Sequence, residues 1–135
     1  MRFLRLSLVL MLLAGCAPKN IARTSCQSHP LTTADEWSCT VTGETVDHVN
    51  SIEFDTESRN QVGKVIVALQ VTKGTLRLTY SDLTGQKKLL VTPSEPASFT
   101  METRMHRERR SFTMMFEPVD GEVLGLKGTV NYSTP

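Results

Sequence analysis

From residue 64 to residue 80 the chain alternates almost without exception. Val65, Val67, Leu69 and Val71 fall on one parity, with Ile66, Ala68, Gln70 and Thr72 on the other. After Lys73-Gly74 the alternation resumes, with Leu76, Leu78 and Tyr80 against Thr75, Arg77 and Thr79. A period of two puts successive side chains on opposite faces of a strand, so each strand has a buried face and a wet one. A helix would scatter the same residues around its circumference. The pattern predicts two strands joined by a tight turn at Lys73-Gly74, that is, a hairpin.

The same grammar runs through the rest of the chain. Residues 37–41 alternate and end at Gly43, and residues 46–54 carry Val46, His48, Asn50, Ile52 and Phe54 on one parity. Turn residues follow at 57–60 and 82–85, a strand at 87–91, and Pro93 and Pro96 close it. Residues 97–117 read as one long hairpin, with Phe99, Met101, Thr103 and Met105 facing Phe112, Met114 and Phe116 and the turn within 106–111. Asp120-Gly121 breaks the chain again, and a last strand over 123–132 holds Gly125 and Gly128 as bend or bulge points. Turns about every ten residues and no helical period predict an all-β domain. An antiparallel β-sandwich of seven or eight strands is the first choice and a small β-barrel the alternative. Hydrophobic residues are 39% and charged residues 21% of the 135, which suits one small folded domain and excludes wholesale disorder.

The N-terminus is of a different kind. Arg2 and Arg5 are followed by a run over 6–13 that is apolar except for Ser7, then by small residues Ala14 and Gly15. That order is basic, apolar, small, as in an export signal, and the run is far short of the ~20 residues that span a bilayer. Its end, Leu13-Ala14-Gly15-Cys16, resembles the lipobox of bacterial lipoproteins. The resemblance implies cleavage before Cys16 and acylation of that residue, and Ala17, in place of an aspartate, implies the outer membrane, periplasmic side, in a diderm host. The expected layout is a signal peptide over 1–15, lipidated Cys16 with a tether over 16–25, and a single domain over 26–135. Two or three acyl chains anchor stably, so the domain needs no membrane-active face of its own.

Cys26 and Cys39 remain, with twelve residues between them. In an oxidising compartment an even pair is most simply a disulfide, which would stabilise by about 3 kcal/mol in the chain-entropy view. A metal site using His29 or His48 with the thiols lacks the close Cys pairs of zinc motifs. Trp37 shares the parity of Cys39 and is expected to pack on the disulfide in the core.

Little in the sequence suggests catalysis. His29, His48 and His106 are the histidines, and none accompanies a G-x-S-x-G serine. There is no H-E-x-x-H, calcium loop or phosphate loop, so no catalytic residue, metal or cofactor is expected. Acid groups such as Asp35/Glu36, Asp47/Glu53/Asp55 and Glu102/Glu108 arise by chance from fourteen acids. The net charge is +1, and loss of Arg2 and Arg5 leaves thirteen basic against fourteen acidic residues. A nucleic-acid footprint is therefore not expected.

The densest charge lies over 104–110, where Arg104, His106, Arg107, Arg109 and Arg110 surround Glu108. These five are the candidate binding residues, since guanidinium makes forked bonds to carboxylate or phosphate. The bland alternative is a soluble tip whose charges block edge pairing. The reading is a lipid-anchored, non-catalytic binding or scaffolding module of the cell envelope. Its partners would be the membrane, through Cys16, and an envelope protein or anionic ligand. Alternatives are a subunit of a secretion, conjugation or pilus assembly, and a periplasmic enzyme inhibitor.

Overall fold

The computed structural model describes residues 22–28, 37–56 and 60–133. The signal segment, Cys16, His29 and part of the 57–60 turn lie outside the described residues. Eight strands follow in order: β1 (Arg23–Ser28), β2 (Trp37–Val46), β3 (Asn50–Asp55), β4 (Val62–Gln70), β5 (Lys73–Asp82), β6 (Gly85–Val91), β7 (Ala97–Arg104) and β8 (Ser111–Ser133). β1 begins at Arg23, within the segment read as tether.

The fold is an antiparallel β-sandwich organised around β8. This 23-residue strand belongs to both sheets. Its residues 111–119 pair with β3 on one side and β5 on the other, and β5 carries β6. Its residues 123–133 pair with β2 and β4, which carry β1 and β7. The sheets therefore run β3-β8-β5-β6 and β1-β2-β8-β4-β7, both open at their edges, and the barrel alternative is set aside. The bend between the halves of β8 falls where Asp120, Gly121 and Gly125 take positive φ. At Gly125 (φ 64) an added Cβ would meet the side chain of Thr72, so a glycine is needed there both for conformation and for space.

Two predicted hairpins are absent. β4 and β5 are consecutive but unpaired; β4 lies between β7 and β8, and β5 between β6 and β8. The turn at 71–72 is tied instead to the bend of β8, with Thr72 N–H bonded to Leu124 O at 2.9 Å. Likewise β7 and the start of β8 occupy different sheets, so residues 105–110 form an arch across the end of the sandwich. Period-2 alternation reports a strand's two faces and carries no information about its neighbours. Residues 46–54 also divide: β2 ends at Val46, and the chain crosses to β3 at Asn50.

Alternation built the core as expected. Cys39, Val41, Val65, Val67, Leu69, Met101, Val130 and Tyr132 close it from the five-stranded sheet, and Phe54, Leu76, Leu78, Val91, Phe112, Met114 and Phe116 from the other. Phe54 stacks on Phe112 at 5.0 Å and Tyr80 on Phe99 at 4.7 Å. Trp37 is half-buried against this cluster. Cys26 and Cys39 sit directly opposite each other on β1 and β2 and form the disulfide.

Candidate functional site

The arch is built by contacts from three strands. Met105 is buried, and its N–H donates to Gln61 O at 2.8 Å, fixing the end of β7 to the start of β4. His106 N–H donates to Ser111 O at 2.7 Å, and Arg110 N–H donates to His106 O at 2.8 Å, closing one helix-like turn. The His106 ring caps that turn. Its Nδ1 accepts the N–H of Arg109 at 3.2 Å, the part an Asn or Asp plays at a helix start.

Arg110 closes the arch in the left-handed region, at φ 53. Glycine suits that position best, and another L-residue there costs about 1 kcal/mol. The carbonyl of Arg110 is held by Thr56, which donates both its hydroxyl (2.6 Å) and its N–H (3.1 Å). Thr56 is itself buried at the end of β3. The surroundings thus keep a strained arginine in place.

The four arginines of the cluster divide into two groups. Arg109 turns to β3, where its Nε lies 3.2 Å from Glu53 Oε1, the oxygen that also accepts the Ser111 hydroxyl at 2.5 Å. Arg104, Arg107 and Arg110 line the opposite side with His106. Together with Asn60, Gln61 and Met105 they enclose a cavity of about 430 Å³. Among the described residues no carboxylate lines it, and none of the three guanidiniums is ion-paired. A second hollow of about 300 Å³ lies on the Arg109 side, walled by Ser81, Thr103 and Ser111, with Arg104 and His106 between the two.

Such a site can bind and orient an anion. Within it the His106 Nδ1 accepts a backbone donor, and Glu53 is engaged by Arg109 and Ser111. His48 bonds Asp47 at 2.7 Å on the exposed β2–β3 connection, away from the arch. Among the described residues no group of three His, Cys, Asp or Glu is placed to hold a metal. Of the methionines near the arch, Met101, Met105 and Met114 are buried in the core and only Met115 is exposed.

Two ionisable groups elsewhere are perturbed. The hydroxyl and N–H of Thr84, with the N–H of Gly85, hold the Asp82 carboxyl below the usual aspartate range in the β5–β6 turn. Burial, and then the charge of Asp82, push the Tyr80 phenol up. Sequence reasoning picked the cluster but missed Thr56, Asn60, Gln61 and Ser111. Thr56, Asn60 and Gln61 come from the β3–β4 connection and Ser111 opens β8, with hydrogen-bond partners up to 58 residues away in sequence.

No family model and no curated protein matches the chain. Among solved structures it is similar to a disulfide-linked pilus protein of Bacillus endospore appendages, at 14% identity and TM-score 0.44 over 88% of this chain and 95% of that one. It is also similar to the xylan-binding CBM22-1 domain from Paenibacillus barcinonensis, at 15% identity and TM-score 0.41 over 85% and 86%. A family 11 carbohydrate-binding module of a cellulosomal cellulase of Clostridium thermocellum follows, at 8% identity and TM-score 0.32 over 84% and 83%. Likeness at this level assigns no ligand.

Proposed function

We propose that this chain is a non-catalytic binding module, held to the cell-envelope membrane by lipid on Cys16, that grips an anionic group in the β7–β8 arch. The observation that carries the reading is the division of the arginines. Three arginines line one cavity with no carboxylate among its described lining residues, while the fourth pairs with Glu53. A tip serving only solubility would gain from pairing all four and from a glycine at position 110. The lipid anchor is supported by Leu13-Ala14-Gly15-Cys16 and by the apolar run before it.

Calorimetric titration with sodium pyrophosphate at low salt tests the reading, using the full chain in detergent. Wild type and Arg109→Ser are expected to bind alike, because Arg109 faces away from the cavity. Changing Arg104, Arg107 and Arg110 together to Ser is expected to abolish binding, since a charge-assisted hydrogen bond contributes about 1.5–3 kcal/mol. Equal binding by the triple variant, or none by wild type, would reduce the cluster to a solubility device.

A further inference from the structure

Resting on the anchored, anion-binding reading above, we propose that the ligand is an acidic saccharide presented from beyond the anchoring membrane, and not a headgroup of that membrane. The direction follows from the topology. Ala22 is buried beside Gly43, and Arg23 lies opposite Thr42. The same row continues through Lys127 to Gln70, the last residue of β4. The arch leaves from Arg104, opposite Val62, the first residue of β4. A strand rises about 3.3 Å per residue, so the two ends of β4 are about 26 Å apart. The chain from Cys16 to Ala22 reaches about 20 Å when fully extended. A chain anchored at Cys16 therefore carries its cationic cavity at the far pole of the domain.

The class follows from what lines the cavity and what is missing around it. A volume of about 430 Å³ falls in the range of small-molecule sites, about 300–1,000 Å³, and exceeds what one inorganic oxyanion fills. Three guanidiniums supply forked bonds to a carboxylate. Asn60 and Gln61 add side-chain amides, which both donate to and accept from hydroxyls. The buried core of a protein–protein interface is more apolar than the rest of the surface. The large exposed hydrophobics among the described residues are Val49, Ile66, Leu83, Leu90 and Met115, and none lines the cavity.

The test uses the full-length lipidated protein reconstituted into phosphatidylcholine vesicles, with polygalacturonate as probe and neutral dextran as control. Vesicles are floated and retained polymer is measured. Wild-type vesicles are expected to retain polygalacturonate at least tenfold above dextran. Vesicles carrying the triple Arg104→Ser, Arg107→Ser, Arg110→Ser protein are expected to fall to the dextran level. Retention should be unchanged when phosphatidylglycerol is built into the same vesicle. Loss of retention on adding phosphatidylglycerol would overturn the direction, because the cavity would then be taking its own membrane's headgroups. Binding of pyrophosphate without polygalacturonate would overturn the saccharide class and leave the anion site standing. Failure of both probes would overturn the anion site itself, and protein that does not float with the vesicles would overturn the anchor.

Discussion

Arg110 is the residue at which stability and the proposed function pull apart. Its φ of 53 suits glycine, and two donors of Thr56 lock the conformation. Strain of this kind is retained where the side chain serves a purpose. Arg110→Gly is expected to stabilise the protein by about 1 kcal/mol in urea denaturation while weakening pyrophosphate binding. Arg110→Ala should weaken binding without that gain, because alanine keeps the strain. Asp82 is a second case, with its effect on pH dependence. Its carboxyl titrates below the usual aspartate value in the folded chain, held by Thr84. Its contribution is therefore complete above the ordinary value near pH 4 and fades as the pH falls through the lower folded value. Asp82→Asn is expected to flatten the acid limb of a stability–pH curve below about pH 4 and to be less stable than wild type at neutral pH.

At the scale of elements, the shared strand β8 is the fold's weakest point for substitution and its strongest for organisation. Gly128 lies inside it, between Val41 of β2 and Leu69 of β4. A Cβ there would run into the carbonyl of Ala68 and come 2.8 Å from the Leu69 Cα. These are backbone atoms, so nothing local can yield, and Gly128→Ala should cost about 3 kcal/mol or more in thermal denaturation. β1 offers the opposite case, since among the described residues it pairs with β2 alone and is secured by Cys26–Cys39. Reduction is expected to lower stability by about 3 kcal/mol. Hydrogen exchange should then show β1 opening ahead of the other strands. These elements also mark what the sequence made legible. The strands from β2 onward, their buried parity, the disulfide and the arginine cluster could be read from alternation, cysteine count and charge density, whereas β1 fell partly in the segment read as tether and β8 was read as two strands. Pairing could not: residues 64–80 look like a hairpin and are two strands of different sheets. The residues of the β3–β4 connection that hold the arch were hidden for the same reason, because Thr56 and Gln61 meet it only through tertiary contact.

At the scale of the molecule, the parts have a direction. β1 receives the chain at one end of the five-stranded sheet, and the arch caps the other, so the proposed lipid on Cys16 would lie on the side away from the arch. The chain is nearly neutral, with a net charge of +1, so its attraction to an anion is local and should weaken as salt shortens the screening length, about 10 Å at 0.1 M. Under the proposed anchor on Cys16, the wet outer faces of the sheets would serve as a spacer that holds the cationic end away from the membrane. Mapping backbone amide resonances during a pyrophosphate titration tests the central point most directly. Shifts confined to Asn60, Gln61 and residues 104–110, and lost at high salt, are expected. Shifts spread over the outer sheet faces, or none at the arch while pyrophosphate binds elsewhere, would contradict it.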